Sequence, residues 1–134
     1  MPLTRWSERF ETGIEVIDAQ HRVLFDCLNR LGEVIHAEPS GTALDEGLAC
    51  MAQRTIKHFQ AEETLMKEIG YPARSLHSEQ HNELILKVRT LQYKRAKGEC
   101  VTPEFVAFLA GWFDHHITDS DLDYVKHMKA LRHA

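Results

Sequence analysis

Three clusters of glycine and proline, Pro39-Ser40-Gly41, Gly70-Tyr71-Pro72 and Gly98 with Pro103, cut the 134-residue chain into four long stretches with few internal breakers. Each stretch has helical period. His21, Leu24, Phe25, Leu28, Leu31 and Ile35 fall on one face of the first, with Asp18 expected as its N-cap. Leu44, Leu48, Met51, Thr55, His58, Glu62, Leu65 and Ile69 do so in the second. The third face runs His77, His81, Leu84, Val88 and Leu91, and the fourth Phe105, Leu109, Trp112, His116 and Leu131. Long helices joined by short connections favour antiparallel neighbours. The expected fold is therefore all-α, an up-down-up-down four-helix bundle with helices near 18–37, 41–69, 73–97 and 103–131. An extended arm over 1–17, with Trp6, Phe10, Ile14, Val16 and Ile17, is expected to lay its apolar side chains along the bundle. One domain accounts for residues 1–134.

What interrupts the apolar stripes is informative. His58 and Glu62 lie one turn apart on one face, as do His77 and His81, while His21 opens the first stripe and His116 sits on the fourth. Burying that many imidazoles and a carboxylate without partners costs several kcal/mol per group, of order ~2–7 each. A lone pair of this kind is usually a surface pair, and a lone histidine is usually hydrogen-bonded in a core. Four stripes each carrying a candidate point instead to a metal centre, since imidazole nitrogen and carboxylate oxygen are good ligands for first-row transition ions. The remaining histidines, His36, His127 and His133, fall at helix ends or in the tail and are expected on the surface, leaving His115 as an ambiguous neighbour of His116.

The spacing His-x-x-x-Glu is neither the His-Glu-x-x-His of zinc proteases nor the Glu-x-x-His of ferritin-like bundles. The ligands are too many for one tetrahedral ion, and two iron ions bridged by carboxylates fit the count better. Replacing carboxylates by neutral imidazoles leaves less negative charge to stabilise high-valent iron, so oxygen should be bound more readily than split.

Composition narrows the setting. A net charge of -4 argues against a nucleic-acid binder that works by neutralising phosphates. No apolar run reaches the ~18 residues of a membrane span, and residues 1–10 lack the apolar stretch of a signal peptide, so a cytoplasmic location without membrane insertion is expected. Cys27, Cys50 and Cys100 form an odd set without C-x-x-C spacing, which disfavours a disulfide framework or a cysteine zinc site; they are expected to be reduced and structural.

Taken in order, Trp6, Thr12-Gly13-Ile14, Ile17-Asp18-Ala19-Gln20-His21, His58-Phe59-Gln60-Ala61-Glu62-Glu63 with Met66, His77-Ser78-Glu79-Gln80-His81, and Trp112, His116-Ile117, Asp121 and Tyr124 resemble the hemerythrin family, specifically its bacterial single-domain members. The resemblance spans nearly the whole chain. It implies one iron bound by His77, His81 and His116 and another by His21 and His58. Glu62 and Asp121 would bridge them together with an oxo or hydroxo group, and an open position on the second iron would take dioxygen. Phe59, Trp112, Phe113 and Ile117 adjoin these positions and are expected to form a dry wall.

One assignment is in tension. At ~100° per residue Asp119 lies ~60° from His116 and Asp121 ~140° away, so periodicity selects Asp119 while the family spacing selects Asp121. If Asp121 is correct, either the helix is distorted there or the metal sits to the side of its face.

The leading reading is a non-haem di-iron protein that binds dioxygen reversibly for carriage, storage or delivery, and not an enzyme. The alternative is an oxygen- or redox-sensing input domain of a larger signalling protein. A peroxidase or nitric-oxide reductase would need a further acid or base near the metal, for which only His115 offers itself.

Overall fold

The computed structural model describes residues 5–37 and 41–132. Four helical rods account for most of them. Helix α1 is Glu15–Ala37, α2 Thr42–Glu68 and α3 Arg74–Ala96; the fourth rod is α4, Pro103–His116, a π-helical turn Ile117–Asp121, and α5, Leu122–Arg132, which follow one another without a break. Of the expected breakers, Pro39 and Ser40 lie outside the described residues, as does His133.

The ends have local causes. Gly70 (φ 65°) and Gly98 (φ 90°) adopt the left-handed conformation that a side chain would disfavour. Each closes its helix with the paired backbone bonds of a Schellman motif, Tyr71 N–H to Met66 O and Gly70 N–H to Lys67 O in one, Glu99 N–H to Lys94 O and Gly98 N–H to Arg95 O in the other. Pro103 occupies the first turn of α4, where its missing N–H costs nothing.

Asp18 is not an N-cap. Helix α1 begins earlier, at Glu15, and the Asp18 carboxylate accepts from the backbone N–H of Thr12 and Gly13 and from the Thr12 hydroxyl, at 2.9, 3.3 and 2.8 Å. This buried group folds the preceding residues back instead of capping the helix. Among them only a short 3-10 turn, Glu8–Phe10, is regular. Phe10 is buried in a ring cluster with Trp6 and Phe25, and Lys129 donates to the Thr12 carbonyl. Val16, expected against the bundle, is exposed because the helix already turns it outward.

The rods alternate in direction. Gln20 meets His58 and Leu31 covers Gly47; Glu63 meets Ser78 and Asp45 meets Arg95; His77 meets Asp121 and His81 meets His116. In each pair of rods the numbers rise on one and fall on the other, the register of antiparallel neighbours. A large apolar core built around Leu28, Met51, Leu84 and Leu109 fills most of the bundle, and a smaller cluster of Ile17, Met66, Tyr124 and Val125 closes one end. Between these two apolar layers lies a layer of buried polar side chains.

Candidate metal centre

All four rods contribute to that layer. Helix α1 supplies His21, α2 His58 and Glu62, α3 His77 and His81, and the fourth rod His116 and Asp121, each at most 4% exposed. The one-turn spacings within α2 and α3 stack their pairs on a single inward face. The fourth rod does it differently. Its π turn is widened to i→i+5 bonding, so Asp121 returns beneath His116 where an α-helix would have turned it away. Within the widened turn the Thr118 hydroxyl donates to the Asp114 carbonyl at 2.9 Å, and Ser120 donates to Gln80 Oε1 on α3 at 2.7 Å. Asp119 lies outside, its side chain 68% exposed and paired at 3.2 Å with His115, which is also exposed.

Asp121 spans the layer. Its Oδ1 is 3.0 Å from His77 Nε2 and 3.1 Å from His116 Nε2, while Oδ2 is 3.1 Å from His21 Nε2. Glu62 Oε1 lies 2.8 Å from His58 Nε2 and 3.8 Å from His81 Nε2. The ligating atoms fall into two overlapping groups, Glu62, His77, His81, His116 and Asp121 in one and His21, His58, Glu62 and Asp121 in the other. Both groups share the two carboxylates.

The residues fit a metal by their unsatisfied atoms. Both nitrogens of His21, Nε2 of His58 and of His77, both Glu62 oxygens and Asp121 Oδ1 are buried without a hydrogen-bond partner, although several stand about 3 Å apart. Short contacts that are not directed as hydrogen bonds mean that lone pairs converge on common points, an arrangement costly without a cation. His81 and His116 sharpen this. Glu63 Oε2 sits 3.1 Å from His81 Nδ1, which must therefore be the protonated nitrogen, yet His81 Nε2 stands 3.0 Å from His116 Nε2. Gln20 Oε1 fixes His58 in the same way, at 2.5 Å from Nδ1. In both cases Nε2 is turned inward, the orientation that outer partners impose on metal-bound histidines.

Electrostatics differ across the layer. Burial drives the His81 imidazole down to about 3, with His116 and His77 reinforcing the effect against Glu62, so it is neutral near pH 7. Burial also opposes charge on His58, but Glu62 and Asp121 outweigh it and the net shift is upward. Asp121 is held well below the usual carboxylate range despite complete burial, by His116, His21 and His77. Burial and the adjacent Glu62 and Asp121 push the Tyr124 hydroxyl far up, so it keeps its proton.

The aromatic side chains near the layer are unevenly placed. Phe59 stacks on His81 with centroids 3.7 Å apart and planes 1° from parallel, and Trp112 stacks on His116 at 4.5 Å. Phe113 packs edge-on against Trp112 at 5.2 Å, and Ile117 is buried. On the opposite side a cavity of about 200 Å³ opens beside His58, lined by Gln20, Val23, Leu24, Arg54 and Lys57.

The hemerythrin HHE cation binding domain matches residues 12–127. The chain belongs to the hemerythrin family. It is similar to the bacteriohemerythrin of Stenotrophomonas maltophilia (strain R551-3), 33% identical over 97% of this chain and 84% of that one, and to that of Methylococcus capsulatus, 29% identical over 92% and 95%. A myohemerythrin from Riftia pachyptila is 25% identical over 89% of this chain and 88% of its own. A crystal structure of wild-type hemerythrin superposes with a TM-score of 0.88 at 27% identity, covering 92% of this chain and 96% of that one.

Within this hemerythrin fold, the outer partners of His58 and His81 lie off the apolar stripes. Gln20 and Glu63 are half-buried polar residues adjoining a ligand candidate in sequence, Ser78 donates to Glu63 at 2.5 Å, and nothing in their spacing separates them from an ordinary solvated face. Leu24, beside the His58 cavity, reads simply as core. Within the described residues no helix is long and apolar enough to cross a membrane.

Proposed function

We propose that His21, His58, Glu62, His77, His81, His116 and Asp121 hold two iron ions, and that the protein binds dioxygen reversibly for carriage, storage or delivery. The observation that carries the proposal is the pair of overlapping ligand groups with both carboxylates in common. One group has three imidazoles and the other two, so with the carboxylates and an oxo or hydroxo bridge shared, the His21–His58 side is one donor short. That deficit is where a small ligand finds room.

Bound iron supplies the reversible electron donation that lets dioxygen be held and let go, and the protein's part is to keep that exchange clean. Glu63 and Gln20 hold the Nε2 atoms of His81 and His58 inward, so the donor geometry exists before any ion arrives. Five neutral imidazoles against two carboxylates keep the site's negative charge low, which favours binding over bond cleavage. Phe59, Trp112, Phe113 and Ile117 cover the three-histidine side with apolar surface and limit water there.

A binder fits better than a catalyst. His115, the spare base suggested by the sequence, has its side chain 81% exposed on the outside of the bundle, and Tyr124 is held protonated. The sensing alternative is less favoured, since the bacteriohemerythrins above are matched over most of their own lengths and so offer no parallel for an attached output module. A cytoplasmic setting belongs to the proposal and suits the three free cysteines. The test is iron content together with visible spectra of protein reduced without air, exposed to oxygen, then degassed. The expected result is about two irons per chain and a band that appears with oxygen and fades on degassing. Absence of iron overturns the metal assignment; iron without a reversible band, or turnover of peroxide or nitric oxide well above a metal-free control, overturns the carrier.

A further inference from the structure

A second group of reactive side chains lies elsewhere on the bundle. Cys27 on α1 and Cys50 on α2 are both half-buried free thiols that neighbour each other across the α1–α2 contact and line one cavity. Helix register puts them there. Cys27 is one turn before Leu31 and Cys50 one turn after Gly47, the pair at which the two helices approach so closely that a Cβ on Gly47 would stand 3.2 Å from Leu31 Cδ1. Both thiols line a cavity of about 330 Å³ together with Arg30, Val34 and Glu46, and none of its lining residues belongs to the histidine layer.

Their surroundings are unequal. Arg54, one turn beyond Cys50 on α2, places a cationic guanidinium beside that thiol. Burial, reinforced by Cys50, pushes the Cys27 thiol up, so it holds its proton longer. One sulfur is therefore equipped to attack and the other to follow. The third cysteine, Cys100, is exposed in the connection before α4 and serves as an internal reference.

We propose that Cys27 and Cys50 form a redox-active dithiol that a hydroperoxide oxidises to a disulfide clamping α1 to α2. The Cys50 thiolate attacks the terminal peroxide oxygen; the S–O bond forms, the O–O bond breaks, and the leaving alkoxide or hydroxide takes up a proton. Cys27 sulfur then attacks Cys50 sulfur, forming the S–S bond as the S–O bond breaks, and the hydroxyl leaves as water with the Cys27 proton. With hydrogen peroxide the two thiols give up two electrons and two protons, and two waters form. A small-molecule dithiol reverses the step by exchange.

The experiment uses the iron-loaded full chain treated with hydrogen peroxide, followed by thiol titration, intact mass and non-reducing peptide mapping. Two thiols per chain should disappear, the mass should fall by two hydrogens, and the peptides of Cys27 and Cys50 should be joined within one chain while Cys100 stays open to alkylation. Dithiothreitol should restore all of this. In Cys27→Ser the oxidation should stop at a Cys50 sulfenic acid that dimedone captures, and Cys50→Ser should leave Cys27 unreacted. Persistence of both thiols under excess peroxide, separate oxidation of each sulfur to sulfinic acid, or a disulfide linking two chains would overturn the proposal. Because the wild-type peptide map decides between these results, a poorly folding variant does not shield it, and iron loading is not what the readout measures.

Discussion

The two sides of the polar layer are built to different standards. Among His77, His81 and His116, two imidazoles are stacked on aromatic rings, His81 on Phe59 and His116 on Trp112, and Phe113 packs edge-on against Trp112. Around His21 and His58 there is one imidazole fewer and a cavity of about 200 Å³ alongside. Only Glu62 and Asp121 belong to both sides. A symmetric layer would give two equivalent ligand groups; under the proposed function, this asymmetry would make the three-histidine side the anchor and the His21–His58 side the place where a small ligand binds.

Removing what the sides share should have the largest effect. Glu62→Ala takes one donor from each group, and iron per chain, measured by elemental analysis after dialysis, should fall to near zero with an affinity loss above about 100-fold. Retention of both ions would mean that the carboxylate is not a common ligand. The next test separates the sides. His58→Ala leaves its group only His21 and the two carboxylates, whereas His77→Ala leaves four donors in the other. The first variant should keep about one iron and lose the oxygen-dependent band, while the second should hold its iron more weakly yet keep more of it. Equal losses in the two variants would erase the comparison.

Smaller effects should come from the outer partners. Gln20→Leu frees His58 and Glu63→Gln weakens the hold on His81, so each should lower metal affinity by roughly 10–100-fold without unfolding the bundle. Iron competition against a chelator, with circular dichroism as the control for folding, reads both. Unchanged competition curves would show that packing alone orients the imidazoles. Trp112→Ala strips the stacked ring from His116, and its oxidised state should accumulate faster in air; identical autoxidation would show that the wall does not govern it.

These residues also mark how far the sequence could be read. His58 and Glu62, and His77 and His81, were visible because α-helical period places one-turn pairs on an apolar stripe; that same period set the four rods, and their short connections set the direction. Asp121 was invisible to it. The π turn over Ile117–Asp121 changes the repeat locally, and the exposed pair His115 and Asp119 has the regular spacing that a periodicity argument prefers. Only the motif resemblance pointed to Asp121. Gln20 and Glu63 were hidden for another reason: their function depends on a neighbouring helix, and the spacing along one chain segment does not encode what lies across it. Asp18 misled similarly, since a carboxylate near a helix start can cap that helix or, as here, gather the N–H groups of the residues before it.

The subtlest difference between the sides lies in their protons, and the metal-free protein exposes it. His81 sits at about 3 when folded and near its ordinary 6.5 when unfolded, so between those values the unfolded chain binds more protons. Its contribution is thus fully present above about pH 6.5 and is lost as pH falls towards 3. His58 is shifted the other way, so its contribution is present below about pH 6.5 and is lost as pH rises through its elevated folded value. Imidazole titration by NMR on metal-free protein should show His58 gaining its proton above pH 6.5 and His81 remaining neutral well below it. In denaturation experiments, His81→Asn should flatten the acid limb of the stability curve and leave the alkaline side alone, and His58→Asn should do the reverse. Overlapping titrations of the two rings would mean that the sides share one electrostatic environment, and the division between anchor and ligand-binding side would then rest on ligand number alone.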